Sequence, residues 1–98
     1  MSDHPRKRVS QETLNQEFDN NDWEKRLQSY TKVEYYNRLT PESAGLPKGT
    51  STIGYEYMDA ENKRVALVFH CETPDREIVG NRRFRPKELL VGGESWFV

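Results

Sequence analysis

Two runs of alternating residues flank a turn between Ser51 and Cys71 (STIGYEYMDAENKRVALVFHC), and they constrain the fold more than any other stretch. Ile53, Tyr55 and Tyr57 fall on one side of the first run. Val65, Leu67, Phe69 and Cys71 fall on one side of the second. Period-two placement of β-branched and aromatic residues marks half-buried strands. If both apolar sets share a face, the register pairs Tyr57 with Val65, Tyr55 with Leu67 and Ile53 with Phe69, because a one-residue slip exposes one set. That register leaves Ala60, Glu61 and Asn62 as a loop closed by Asp59 and Lys63. Such loops take a type I turn followed by one left-handed residue, and Asn62 stands where that residue is needed. The opposite face is mixed: Thr52, Gly54, Glu56 and Met58 against Arg64, Ala66, Val68 and His70. It is either partly covered by a helix or a contact surface.

Before the hairpin the chain reads as helix and then strand. Met1 to Val9 carries Arg6, Lys7 and Arg8 in a row and reads as a disordered, solvated basic tail, residues 1–9. Ser10 can cap a helix, with Glu12 in its positive first turn. Leu14 and Phe18 repeat at four residues, and Trp23, Leu27 and Tyr30 continue at four and three. The step of five from Phe18 to Trp23 falls on Asp19-Asn20-Asn21-Asp22, poor helix and good cap. The spacing predicts a helix near 11–18, a break, and a second helix near 22–29 docked through Trp23, Leu27 and Tyr30, with an acidic outer face. Thr31 to Leu39 reads as a strand with Val33 and Tyr35 on one face and Glu34, Tyr36 and Arg38 on the other. Two prolines and two glycines make 41–50 a loop, with Leu46 as its anchor to the core.

After the hairpin, Glu72 to Asp75 is a turn, 76–79 a short strand beside 64–71, and Gly80-Asn81 a turn. Residues 82–87 (RRFRPK) are the most basic stretch. KELLV, 87–91, is a helical turn opened by Pro86 or a strand. Gly92-Gly93 turns again, and Ser95 to Val98 ends the chain as a strand docked on the sheet. The fold class is therefore α+β: an N-terminal helical segment on a four- to five-stranded antiparallel sheet, with a small, partly rolled barrel as the alternative. Residues 10–98 make a single domain.

A chain of 98 residues buries roughly 60–65% of its unfolded surface, enough for one thin core. A net charge of −1 gives no global field favouring nucleic acid or an anionic membrane. One cysteine rules out an internal disulfide framework and fits a reducing cytosol. No apolar run reaches the ~20 residues that span a bilayer, and the N-terminus lacks the apolar core of a secretory signal. A cytoplasmic location and no membrane contact are the expectation.

No catalytic constellation, cofactor motif or metal-ligand set is legible. His70 and Cys71 are adjacent on a strand and point to opposite faces, so they do not meet at one atom. Cys71 reads as a core thiol, and His70 is the one histidine in a predicted element. Gly92-Gly93 lacks the Lys-Ser/Thr of a phosphate loop. The candidate binding residues are Tyr36, Arg64, His70, Arg82, Arg83, Arg85 and Lys87. Tyr36 is the expected exposed aromatic, a type favoured at protein interfaces. Arg82, Arg83, Arg85 and Lys87 surround Phe84 as cations surround a stacking ring in nucleic-acid sites.

Three functions follow as expectations. The first is a non-enzymatic protein-interaction module, an adaptor, inhibitor or accessory subunit of a bacterial or phage system. Its partner is a protein of unknown identity, or a second copy joined through a sheet edge at 31–39 or 95–98. The second is a nucleic-acid binder using Arg82, Arg83, Arg85 and the N-terminal basic arm. The third is a small metal-independent endoribonuclease, in which His70, Glu56, Arg64 and Tyr36 share one face with the arginines nearby. In outline that arrangement resembles small bacterial toxins: short helices, then an antiparallel sheet bearing a few Arg, Glu and His.

Overall fold

The computed structural model describes residues 4–41, 44–80 and 82–98. The elements, in chain order, are strand β1 (Arg6–Arg8), helix α1 (Gln11–Asn20), helix α2 (Trp23–Arg26) with a 3₁₀ turn at Leu27–Ser29, β2 (Thr31–Leu39), β3 (Ser51–Met58), β4 (Arg64–Glu72), β5 (Ile78–Val79), β6 (Arg85–Val91) and β7 (Glu94–Phe97). The architecture is α+β with a seven-stranded sheet, richer than the four or five strands expected. The order is β1-β7-β6-β4-β3-β2, with β5 beside β4. Its ends do not meet, which disposes of the barrel alternative. All pairs are antiparallel except β1 with β7.

The helical segment forms as its spacing dictates. The Ser10 side chain accepts the Thr13 N–H (3.1 Å) and caps α1, and Glu12 lies in the first turn. Asp22 takes a left-handed conformation (φ 55°) and separates α1 from α2, so each keeps its own apolar stripe. Leu14, Phe18, Trp23 and Leu27 are buried against Tyr57, Val65, Ala66, Val68 and Leu89 of the sheet, and this layer is the core. Tyr30 packs at its border. Trp23 is fully buried, and its indole N–H donates to Glu17 (2.8 Å), so the ring is docked without an orphaned donor.

The hairpin keeps its turn and loses its register. The Asp59 N–H donates to the Lys63 carbonyl (2.9 Å), the Asn62 N–H donates to the Asp59 carbonyl (3.0 Å), and Asn62 is left-handed (φ 62°), as the turn chemistry requires. Met58 stands opposite Arg64, but Tyr57 stands opposite Ala66. Val65 is thus an extra residue, a β-bulge, and every later pair shifts by one. Tyr55 lies opposite Val68 and Ile53 opposite His70, not opposite Leu67 and Phe69. The inner face is therefore Ile53, Tyr55 and Tyr57 with Ala66, Val68 and His70. Leu67, Phe69 and Cys71 join Thr52, Gly54 and Glu56 on the outer face.

Bulges revise β2 and β6 in the same way. Glu34 pairs with Tyr55 and Tyr36 with Gly54, leaving Tyr35 as the extra residue. Val33, Tyr36 and Arg38 consequently share the outer face, which corrects the pairing of Val33 with Tyr35 alone. In β6 the shift falls at Lys87, and 87–91 is strand throughout. The turn after β4 is closed by the Arg76 N–H on the Thr73 carbonyl (2.8 Å), one residue later than expected, with Pro74 still first of the central pair. The strand expected at 76–79 shrinks to β5. Gly92 (φ 56°) and Gly93 (φ 80°) make the two-residue turn that joins β6 to β7 with the twist a hairpin needs.

The N-terminal stretch also differs from a solvated tail. Arg6–Arg8 pairs with Ser95, Trp96 and Phe97, and the Val9 N–H donates to the Phe97 carbonyl (2.7 Å). The guanidinium groups of Arg6 and Arg8 lie 4.2 and 5.0 Å from the Phe97 ring centre, and Lys7 Nζ lies 5.4 Å from that of Trp96. The edge expected to be open at 95–98 is therefore covered by β1, and β2 remains as the long uncovered edge. Residues 1–3 lie outside the described residues. Among those described, no helix is long and apolar enough to cross a membrane.

Replacing Trp23 removes the largest side chain of the helix–sheet layer. Trp23→Ala is expected to lower unfolding free energy by about 3–5 kcal/mol through the cavity it leaves. Urea denaturation followed by circular dichroism measures this, and a midpoint equal to wild type would contradict docking of the helices.

Candidate functional site

Helices cover only the inner face, so two regions remain where side chains meet solvent in an organised way. One is the outer face with its edge strand β2. The other is a cleft on the inner face beyond the last helical turn.

The outer face has an aromatic centre. Tyr36 and Phe69 flank Gly54 on the neighbouring strands, and their ring centres lie 5.5 Å apart. A β-carbon at Gly54 would come within 2.6 Å of the Phe69 ring, so glycine there is what lets that ring lie across the sheet. Toward the other end, Arg64 is the hub. Its guanidinium donates to Glu56 through Nε (2.8 Å), with Nη2 2.7 Å from the same carboxylate, and it reaches Glu88 (3.4 Å). Arg6 approaches Glu88 from the far side (3.5 Å), and Tyr35 packs its ring 5.4 Å from Arg64. Burial alone disfavours the Arg64 charge, but the hydrogen bond it donates to Glu56 and the fields of Glu56 and Glu88 outweigh it and raise its pKa above the ordinary value.

His70 is on the other side of the sheet. It is buried, with Nε2 2.9 Å from Glu72 Oε2, and its ring lies between Tyr55 (5.5 Å) and Phe84 (5.8 Å). The bulge at Val65 is the reason: it turns His70 inward while Glu56, Arg64 and Tyr36 stay outside. The four residues named for a ribonuclease site therefore do not share a face. Burial, followed by the fields of Glu72 and Glu34, raises the Tyr55 pKa, so this phenol stays neutral near His70.

The basic run 82–87 is dispersed rather than gathered. Arg82 is committed to the helix layer: Nη1 and Nη2 donate to the two Asp19 carboxylate oxygens (3.0 and 2.7 Å), and Nη2 also reaches the Asn15 carbonyl (3.4 Å). Arg83 is solvated, 3.8 Å from Glu24 and 5.3 Å from the Phe84 ring centre. Arg85 points to the outer face and reaches Cys71 Sγ (3.5 Å). Lys87 turns inward and donates to the Gln11 side-chain oxygen Oε1 (2.9 Å). Burial first, then the Arg85 charge, lowers its pKa. Phe84 packs on Phe18 with ring centres 5.9 Å apart instead of standing free to stack.

Arginines from distant parts of the chain gather instead. Arg6 and Arg8 of β1, Arg38 of β2, Arg64 of β4 and Arg85 of β6 all lie on the outer face, against Glu56 and Glu88. Sequence reasoning named Arg64 and Arg85 as binding residues and Arg6 and Arg8 only as part of the N-terminal basic arm; it gave Arg38 no binding role. The strand that places the β1 arginines on this face was not legible, because Arg-Lys-Arg carries no strand signal. Among the described residues no group of three or more His, Cys, Asp or Glu could hold a metal ion.

The Arg82–Asp19 pair gives a pH-dependent test. Hydrogen bonding from Arg82 holds the Asp19 carboxyl below the ordinary 3.8, against a smaller opposing effect of burial. A depressed carboxylate stabilises the fold above its ordinary pKa and loses that contribution as pH falls through the folded value. Asp19 is largely exposed, so the doubly bonded pair contributes about 0.5–1 kcal/mol. Asp19→Asn is expected to be less stable by that amount near neutrality, with the gap closing as pH falls below 3.8. Urea unfolding at several pH values measures it, and a gap independent of pH would exclude the ion pair as its cause. Comparison of the chain with protein-family models, with curated proteins and with solved structures finds no match.

Proposed function

We propose that this chain is a non-enzymatic interaction module whose contact surface is the outer sheet face and strand β2, and whose partner is a protein. The observation that carries the reading is the exposure of Val33, Tyr35 and Tyr36 (45, 56 and 39%) on the outer side of one strand of a small protein. Single exposed apolar residues are ordinary, but a cluster with two tyrosines is the composition of a docking patch. The backbone edge of β2 is a weaker attraction. The bulge at Tyr35 and the charges of Lys32, Glu34 and Arg38 blunt it against indiscriminate strand addition, homodimers included. Side chains of the face, rather than the edge, make the contact.

A second reading has its own support. Arg6, Arg8, Arg38 and Arg85 stand among Phe97, Tyr36 and Phe69, and an arginine–aromatic sheet face suits single-stranded nucleic acid. It predicts oligonucleotide binding that weakens steeply with salt. Arg8→Ala and Arg38→Ala would reduce it, and Arg82→Ala would leave it unchanged.

Photo-crosslinking separates the two readings. A benzophenone side chain placed at Tyr35 or Tyr36, in the cells that make the protein, is expected to give one discrete protein adduct. The same group at Glu12 on the helix face is expected to give none. Tyr35→Ser with Tyr36→Ser should leave the melting temperature unchanged and weaken the recovered partner at least tenfold. Adducts of equal yield from Glu12 and Tyr36 would sink the protein reading. An adduct of nucleic acid alone would favour the second.

A further inference from the structure

The cleft on the inner face has a volume of about 440 Å³ and lies between the 3₁₀ turn and the 82–84 segment. The sheet supplies Tyr57 and His70, the helical segment Leu27 and Tyr30, and the opposite side Ile78 and Phe84. Its inner walls are thus aromatic and aliphatic with one imidazole among them, and its rim is polar, with Glu24, Gln28, Lys32 and Arg83. That imidazole is only 4% exposed, and Glu72 fixes its orientation through Nε2. In the neutral ring, with the Nε2 proton directed at the carboxylate, Nδ1 carries a lone pair. Nδ1 makes no hydrogen bond among the described residues. Yet the one buried side-chain nitrogen or oxygen without a partner there is Arg82 Nε. Nδ1 is therefore not sealed in the core, and the cleft that His70 lines is its outlet. A histidine serving packing alone would be cheaper as an apolar residue. A carboxylate-oriented imidazole with a free acceptor is the form that recognises a donor.

The mouth carries two cations, Lys32 and Arg83, against one carboxylate, Glu24. Lys32 lies with Nζ 4.0 Å from the Tyr55 ring centre and has no carboxylate within ion-pair distance among the described residues. Arg83 stands across from it. Its contact with Glu24 is long (3.8 Å), and both side chains are more than half exposed, so solvent screens it. An acceptor inside, flat apolar walls and cations at the rim define the ligand by complementarity.

We propose that this cleft binds a small aromatic acid bearing a ring N–H or O–H. The ring lies between Phe84 and the Leu27–Tyr30 side, its donor meets His70 Nδ1, and its carboxylate is drawn to Lys32 and Arg83. The site is on the face opposite the interaction surface and stands or falls without it.

Titration of the ¹⁵N-labelled protein with 4-hydroxyphenylacetate and indole-3-acetate tests the proposal, read on the His70 ring nitrogens. Saturable movement of the His70 Nδ1 signal is expected with both. Phenylacetate, which lacks the donor, and tyramine, which replaces the acid by a cation, should bind about tenfold more weakly. Lys32→Glu, an exposed change that leaves the core intact, should weaken both acids about fivefold or more. His70→Phe should abolish the preference for 4-hydroxyphenylacetate over phenylacetate. The proposal is overturned if neither acid saturates below about 10 mM, a limit weaker than ordinary small-ligand recognition. Binding of phenylacetate or tyramine as tight as that of 4-hydroxyphenylacetate, or indifference to Lys32→Glu, overturns it as well. Lys32→Glu also serves if His70→Phe does not fold.

Discussion

The extra residue at Val65 decides what each side of this sheet can do. Side chains on a strand alternate, so one inserted residue reverses the orientation of everything beyond it. At the insertion Val65 and Ala66 are both buried beneath the helices, at 5 and 0% exposure. Beyond it the small and medium Ala66 and Val68 face inward, and the larger Leu67 and Phe69 face outward. The inner side thereby keeps room for Leu14, Phe18 and Trp23, which belong to the same buried cluster. Overpacking is as costly as a cavity. A core built from Leu67 and Phe69 instead would have to displace one of those helix residues.

This is also where the sequence stops being legible. The helices, their break at Asp22, the Ser10 cap and the Asn62 turn were all readable, because each rests on local chemistry that a few adjacent residues settle. The β4 register was not. Val-Ala-Leu-Val-Phe-His-Cys is apolar on both sides of its alternation, so pattern alone has no preference between faces. The turn fixes the first pair, Met58 with Arg64. The insertion that follows leaves no compositional mark, unlike a glycine-bearing bulge. Strand β1 was hidden for a different reason. It is held by distant groups, the Phe97 and Trp96 rings and the backbone of β7, and by nothing in its own composition.

The basic run 82–87 shows the same limit at the level of charge. Six consecutive residues looked like one patch, yet a strand sends its neighbours to opposite sides and a bulge turns Lys87 inward. Arg82 ends on Asp19, Lys87 on Gln11 and Arg85 beside Cys71, so three cations serve three separate places. Of the candidate residues, Tyr36, Arg64 and Arg85 stand on the outer face, and His70 and Arg83 border the inner cleft. The spacing could not reveal that division, because it is fixed by cross-strand register.

A net charge of −1 conceals an asymmetric field. Residues 10–30 carry Glu12, Glu17, Asp19, Asp22 and Glu24 against Lys25 and Arg26, and they cover the inner side of the sheet. The outer side carries five arginines against two glutamates. The positive excess is local to the outer face, and such a face is drawn toward an acidic surface before contact. Orientation alone does not hold a complex, because exposed arginines are hydrated and screened over about 8–10 Å. The rings of Tyr35, Tyr36, Phe69 and Phe97 supply the apolar area that charge cannot. Arg8 lies 5.0 Å from the Phe97 ring centre and Arg38 5.9 Å from that of Tyr36, so both guanidinium groups stay beside rings of the face. Arginines held beside aromatic rings lose less freedom on binding than free ones. The outer face is therefore better prepared for a partner than its charge count alone implies.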